Sequence, residues 1–208
     1  FCSLFIGTEY SDGTIRNKVV IGQKRTSIYL SNLIICALVS VVMCAAFFIA
    51  YLCIGIPLLG FFEMDIKQVL LFTLAVFVLA IAFASIFTLI SMLNHNKAIT
   101  AVVCILLAFL LLFAGAQFNK MLNEPETNMG LMMTDNGQEY QEIPNPNYLE
   151  GGERKVVQFL YDFVPGGQAL QCVSLEANNI TVLPAYSLII IVLTTGFGVF
   201  FFKKKELK

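Results

Sequence analysis

Four stretches of this chain contain no Asp, Glu, Lys or Arg: Leu33 to Phe62, Gln68 to Asn94, Ala98 to Asn119 and Ala177 to Phe202. Each exceeds the ~18 apolar residues at which a membrane-crossing helix becomes the default, because in hydrocarbon a helix satisfies all its backbone hydrogen bonds internally. Of the 208 residues, 58% are hydrophobic and 13% charged, against about 25% charged in a soluble domain. That balance excludes an ordinary soluble domain and intrinsic disorder, and the six cysteines mostly sit in apolar runs instead of forming a secreted disulfide framework. The expected fold class is all-α: a polytopic helical membrane protein with four complete transmembrane helices.

The first stretch has 30 residues, about 45 Å of helix against a hydrocarbon core of roughly 30 Å. Gly55 and Pro57 are expected to break it, bending Ile54 to Phe62 into the interface. Pro184 fits a first helical turn and sets the last span at residues 183–202. Residues 1–7 read as the end of a further, truncated transmembrane helix, so the chain has the look of a fragment. The remaining organisation is a loop over 8–32, three spans within 33–119, a long polar loop over 120–182, and a tail over 203–208.

Orientation follows from the basic residues. Arg16, Lys18, Lys24, Arg25, Lys97 and the C-terminal lysine run account for nine of the 13 Lys and Arg, which makes their loops cytoplasmic by the positive-inside rule. Four crossings from a cytoplasmic 8–32 loop return a cytoplasmic C-terminus, in agreement. The expected location is the cell membrane, multi-pass.

The segment from Lys120 to Glu176 then lies outside, with nine acids against three bases and a formal charge of -6. Asn136-Gly137 and Pro144-Asn-Pro146-Asn are turn signals. Glu153 to Leu170 carries Val156, Val157, Phe159, Leu160 and Phe163 close to one helical face. It reads as an interfacial helix ended by Val164-Pro165-Gly166-Gly167, with a soluble helical hairpin as the alternative.

On the other side, Ser11 or Asp12 can cap a short helix with Ile15, Val19 and Gly22 along one face and Arg16 and Lys18 elsewhere. Periodicity alone leaves open whether such a helix rests on anionic lipid. The string Glu9-Tyr-Ser-Asp-Gly-Thr-Ile-Arg-Asn-Lys18, followed by Gly22 and Ile28-Tyr-Leu-Ser31, resembles the loop between the second and third spans of bacterial permease subunits of type 2 ABC exporters. Pro146-Asn-Tyr-Leu149, Pro165-Gly-Gly-Gln168 and the lysine-rich end are also similar to that family, which usually has Pro-x-Gly-Gln. The resemblance implies six spans, of which the first and nearly all of the second are missing. It also implies a coupling helix made by Asp12, Gly13, Ile15, Arg16, Lys18, Val19 and Gly22, docking on a separate ATP-binding subunit that holds ATP and Mg, and a second permease copy alongside.

Absent motifs point the same way. No phosphate-binding G-x-x-x-x-G-K-[ST] loop occurs, so ATP hydrolysis would fall to a partner chain and this chain is expected to be no enzyme. The single His95 and the missing G-x-S-x-G exclude the common zinc-protease and serine-hydrolase templates. No catalytic residue, metal ligand, cofactor of its own or nucleic-acid partner is expected. The spans lack Asp, Glu, Lys, Arg and His, which weighs against ion-coupled carriers. The competing reading is a non-transporting membrane assembly or sensor protein whose external acidic loop binds a ligand; membrane lipid is a partner in either case.

Overall fold

The computed structural model describes residues 1–62, 64–134 and 137–205. A short α1 (Cys2–Ser11) turns into α2 (Thr14–Val20), and the chain then enters α3 (Arg25–Ala50), which passes through a π-helical turn at Tyr51–Gly55 into α4 (Ile56–Leu59). Two long helices follow, α5 (Ile66–Leu93) and α6 (Lys97–Leu122), then the strands β1 (Thr127–Thr134) and β2 (Gly137–Pro144), the paired helices α7 (Gly151–Phe163) and α8 (Pro165–Ser174), and finally α9 (Val182–Lys204). Four segments, Arg25–Leu58, α5, α6 and α9, are long and apolar enough to cross a membrane. The protein is thus an all-α, multi-pass membrane protein. Its helices bury few residues: on α6, Val102, Leu106, Phe109 and Phe113 are each more than half exposed, a surface that hydrocarbon can cover and water would penalise.

The basic residues of the turns and the α9 terminus gather at one end of the bundle, the basic end; the hairpin and α7–α8 lie at the other, the acidic end. A buried cluster at the basic end draws Ile6 from α1, Ile15 from α2, Ile28, Tyr29, Leu33 and Cys36 from α3, Ala84 and Met92 from α5, and Phe202 from α9. Tyr29 fits there because Gly198 faces it; a Cβ at that position would collide with the phenol. Inside the bundle several mild polar groups return to their own helices, as with Thr73 Oγ1 on the Val69 carbonyl (2.8 Å) and Ser91 Oγ on the Phe87 carbonyl (2.6 Å). Ser85 and Thr194 meet across α5 and α9 at 2.8 Å.

Several features depart from the sequence expectation. Helix α3 begins at Arg25, ahead of the uncharged stretch, since its polar first turns are held by the basic-end cluster. Gly55 and Pro57 do not break it outright: proline removes an N–H and crowds the carbonyl four residues back, Cys53, and the helix absorbs this by widening into the π-turn. Gly60, at φ +89°, then ends α4. The third departure is the hairpin, where β1 and β2 pair antiparallel from Thr127 opposite Pro144 to Thr134 opposite Gly137. Only turns were legible there, and Asn136 of the Asn-Gly signal lies outside the described residues, as do Glu206, Leu207 and Lys208 of the tail.

The helical pair at the acidic end is two helices instead of one interfacial helix that stops at the Pro-Gly-Gly run. Val164 is extended and Pro165 starts α8, where its missing N–H costs nothing. Gly166 and Gly167 let α8 touch backbone directly: a Cβ on the first would strike the Leu111 carbonyl of α6, and on the second the Tyr161 carbonyl of α7. Leu111 lies 11 residues before the end of α6, about 16 Å along the axis, so α8 enters between the spans instead of lying on top of them. Gln168, 1% exposed, makes this entry polar-satisfied: its Oε1 accepts from Ser187 Oγ of α9 at 2.6 Å, and its Nε2 donates to the Phe163 carbonyl at 3.1 Å.

Candidate functional site

The sequence-derived residues gather in the α1–α2–α3 elbow at the basic end. Neither Ser11 nor Asp12 caps α2. Ser11 Oγ donates to the Gly7 carbonyl (2.9 Å) and Asp12 closes α1. Gly13 is the N-cap, left-handed at φ +70°, because α1 runs so far that a single residue must reverse the chain. The far end of α2 is a Schellman turn: the Gly22 N–H donates to the Val19 carbonyl and the Gln23 N–H to the Lys18 carbonyl, both at 3.0 Å, with Gly22 at φ +93°.

Between these turns α2 presents two different sides. Ile15 is 1% exposed and belongs to the bundle's own core, with Val19 packed beside it. Lys18 is half-buried and pairs with Glu9 of α1 (2.6 Å). The second Glu9 oxygen accepts from Asn32 Nδ2 of α3 at 2.8 Å, and the same amide nitrogen lies 3.6 Å from Met92 Sδ. One carboxylate thus ties three helices, and both its oxygens are charge-assisted or amide acceptors shielded from water. Asp12, Arg16 and Gly22 are exposed. With about 100° between successive residues, Val20 points away from Ile15, and Val20 and the adjoining Ile21 are 79% and 81% exposed. The structure therefore splits the sequence-derived set: Ile15, Lys18 and Val19 anchor the elbow inward, Gly13 and Gly22 shape its turns, and Asp12 and Arg16 face out.

Residues outside that set complete the anchorage. Tyr10 of α1 donates its hydroxyl proton to the Met92 carbonyl at the end of α5 (2.5 Å), and its ring meets His95 edge-on at 5.0 Å. Burial pushes the Tyr10 phenol up, keeping it the donor. Lys205, just past α9, donates to both Tyr10 Oη and the Met92 carbonyl at 2.9 Å and stands 4.4 Å over the Tyr10 ring. Its amine is lowered to about 8 by burial. Arg25 donates to the carbonyls of Phe202, Lys203 and Lys205, capping the C-terminus of α9 from α3. Lys97 reaches Thr8 Oγ1 at 2.7 Å. Lysines near a helix end are visible in a sequence; that one of them folds back on a tyrosine 195 positions away is not.

Among the described residues no group of three or more His, Cys, Asp or Glu could hold a metal. Comparison with family models, with curated proteins and with solved structures finds no match.

Proposed function

We propose that this chain is the permease subunit of an ATP-driven exporter of the cell membrane, its basic end cytoplasmic and α2 its coupling helix. The observation that carries this reading is the two-sidedness of α2. Its inner side is bolted to α1 and α3 through Ile15 and the Glu9–Lys18–Asn32 contact, while Val20 and Ile21 stand uncovered on the side away from the bundle. A lipid-resting amphipathic helix keeps its apolar side for the bilayer. Here that side is spent on the protein core, and a second apolar contact remains beside Arg16 and Lys24.

A separate ATP-binding subunit, holding ATP and Mg, docks on that tip. A push on α2 then moves α1 and α3 through Glu9, and α9 through the Tyr10–Lys205 and Arg25 contacts, so the pathway between two permease copies changes its opening. The chain does no covalent chemistry in this scheme; it converts displacement at the tip into displacement of spans. Because Ile15 lies in the core, Ile15→Asp would unfold the elbow and say nothing of docking. The informative variant is Val20→Glu with Ile21→Glu, both exposed. It should insert and melt like the native chain yet lose pull-down of the ATP-binding subunit and stimulated ATP hydrolysis by about tenfold or more. Retained subunit binding in that variant, with loss instead in Arg16→Gln/Lys24→Gln at low salt only, would favour a lipid-bound helix and end this reading.

A further inference from the structure

Two cavities border α8 at the acidic end, and their chemistry is opposite. The first, about 410 Å³, opens between the end of α6, α7 and residues 174–178; amides line it, among them Asn119, Gln158, Gln171 and Asn178, together with Arg154 and Glu176. The second, about 610 Å³, lies between α3, α5 and α8; Phe47, Phe48, Phe72, Phe77 and Val173 are among its walls, and among the described residues no charged side chain lines it. Its α5 wall runs from Val69 to Leu79, so it descends along the spans while the polar pocket sits at their end. Leu175 borders both.

The polar pocket is held in shape. Asn178 Nδ2 donates to Gln158 Oε1 (3.0 Å), while Gln158 Nε2 (2.9 Å) and Gln171 Nε2 (3.0 Å) both donate to Asp162 Oδ1. Arg154 gives one N–H to the Leu122 carbonyl at 3.0 Å. Arg154 and Glu176 display opposite charges in one pocket, and among the described residues neither belongs to an ion pair. Leu175 is the one non-glycine residue among those described with positive φ, at +56°. In that conformation the chain turns sharply out of α8 and leaves an apolar side chain at the junction of the two cavities.

From this juxtaposition we propose that the acidic end binds a single-chain zwitterionic amphiphile. Its anionic group lies on Arg154, its ammonium on Glu176, and its hydrocarbon tail bends past Leu175 into the aromatic cleft. The order of polar pocket above apolar cleft matches the order of head and tail in a leaflet. This names a cargo class for the permease reading and rests on it for its purpose, though the site itself can be tested without an ATPase.

The probe is lysophosphatidylethanolamine carrying a diazirine in its acyl chain, added to the full chain in phosphatidylglycerol nanodiscs. Saturable crosslinks should fall on the peptides holding Phe47, Phe48 and Val173. Unlabelled lysophosphatidylethanolamine should compete about tenfold better than lysophosphatidic acid, which lacks the ammonium, or phosphoethanolamine, which lacks the tail. Glu176→Gln should erase the preference over lysophosphatidic acid, and Arg154→Gln should weaken binding of both. Glu176 is exposed and, among the described residues, makes no hydrogen bond, so its variant keeps the test valid even if Arg154→Gln disturbs α6. Crosslinks as strong on exposed Phe109 and Phe113 of α6, or an unchanged preference in Glu176→Gln, would overturn the site. Either failure leaves ATPase coupling at Val20 and Ile21 standing, and loss of that coupling leaves this binding measurable.

Discussion

Ile15 and Val20 lie five residues apart on one short helix and have opposite fates, the first enclosed by its own bundle and the second uncovered. Periodicity places Ile15 and Val19 on one side of α2, and that much was legible. What covers that side is a tertiary fact: α1 and α3 close on it because Glu9 finds Lys18 and Asn32, partners 9 and 23 positions away. Lys205 illustrates the same limit, and its titration is measurable. Its amine falls from 10.5 to about 8 through burial. Between those two values the folded chain binds fewer protons than the unfolded one, so stability should rise with pH across the window. The stability of the native chain minus that of Lys205→Met, followed by thermal unfolding, should be flat below about pH 8 and climb toward pH 10.5. A difference that falls across the window would mean that the Tyr10 ring and the Met92 carbonyl favour the ammonium more than burial disfavours it.

At the scale of elements, the spans were readable because a bilayer tolerates so few backbone solutions that missing charge alone locates them. Their ends were not. Arg25 to Asn32 is helical through contacts with α1 and α9, and a charge count puts it in a loop. The hairpin is hidden in the sequence for a different reason: Thr127 to Thr134 contains three methionines, a glycine and an asparagine, with neither alternation nor β-branched enrichment to mark a strand. In the Pro-Gly-Gly run the glycines are close-approach positions, and they make α8 testable. Gly166→Ala should force α8 off the Leu111 carbonyl, at about 1–3 kcal/mol of overpacking. Protease access to α7 and α8 should increase while the Tyr10–Met92 end keeps its hydrogen-exchange protection. Equal loss of protection at both ends would mean that the bundle opens as a single unit.

For the whole molecule, the distribution of charge gives the most direct test of the proposed orientation. Single cysteines at Arg16, Lys204 and Glu142, in a background without native cysteines, should divide between the two faces of sealed cells. An impermeant thiol reagent should reach only Glu142→Cys from outside and the other two only after permeabilisation. Labelling of Arg16→Cys in intact cells would invert the orientation and remove the basis for an ATP-binding partner at α2. The amphiphile site would then face the other leaflet, with its geometry unaltered.

Arg25 caps carbonyls that lie 177 to 180 residues further along the chain. A ribosome adding about 5–20 residues per second needs roughly 10–40 s to produce them. For that interval the start of α3 has its guanidinium uncapped and the Tyr29 socket open, since Phe202 and Gly198 do not yet exist. The basic end therefore closes only once α9 has been made. A chain halted before α9 carries an open basic end, with Arg25 uncapped and Tyr29 unpacked.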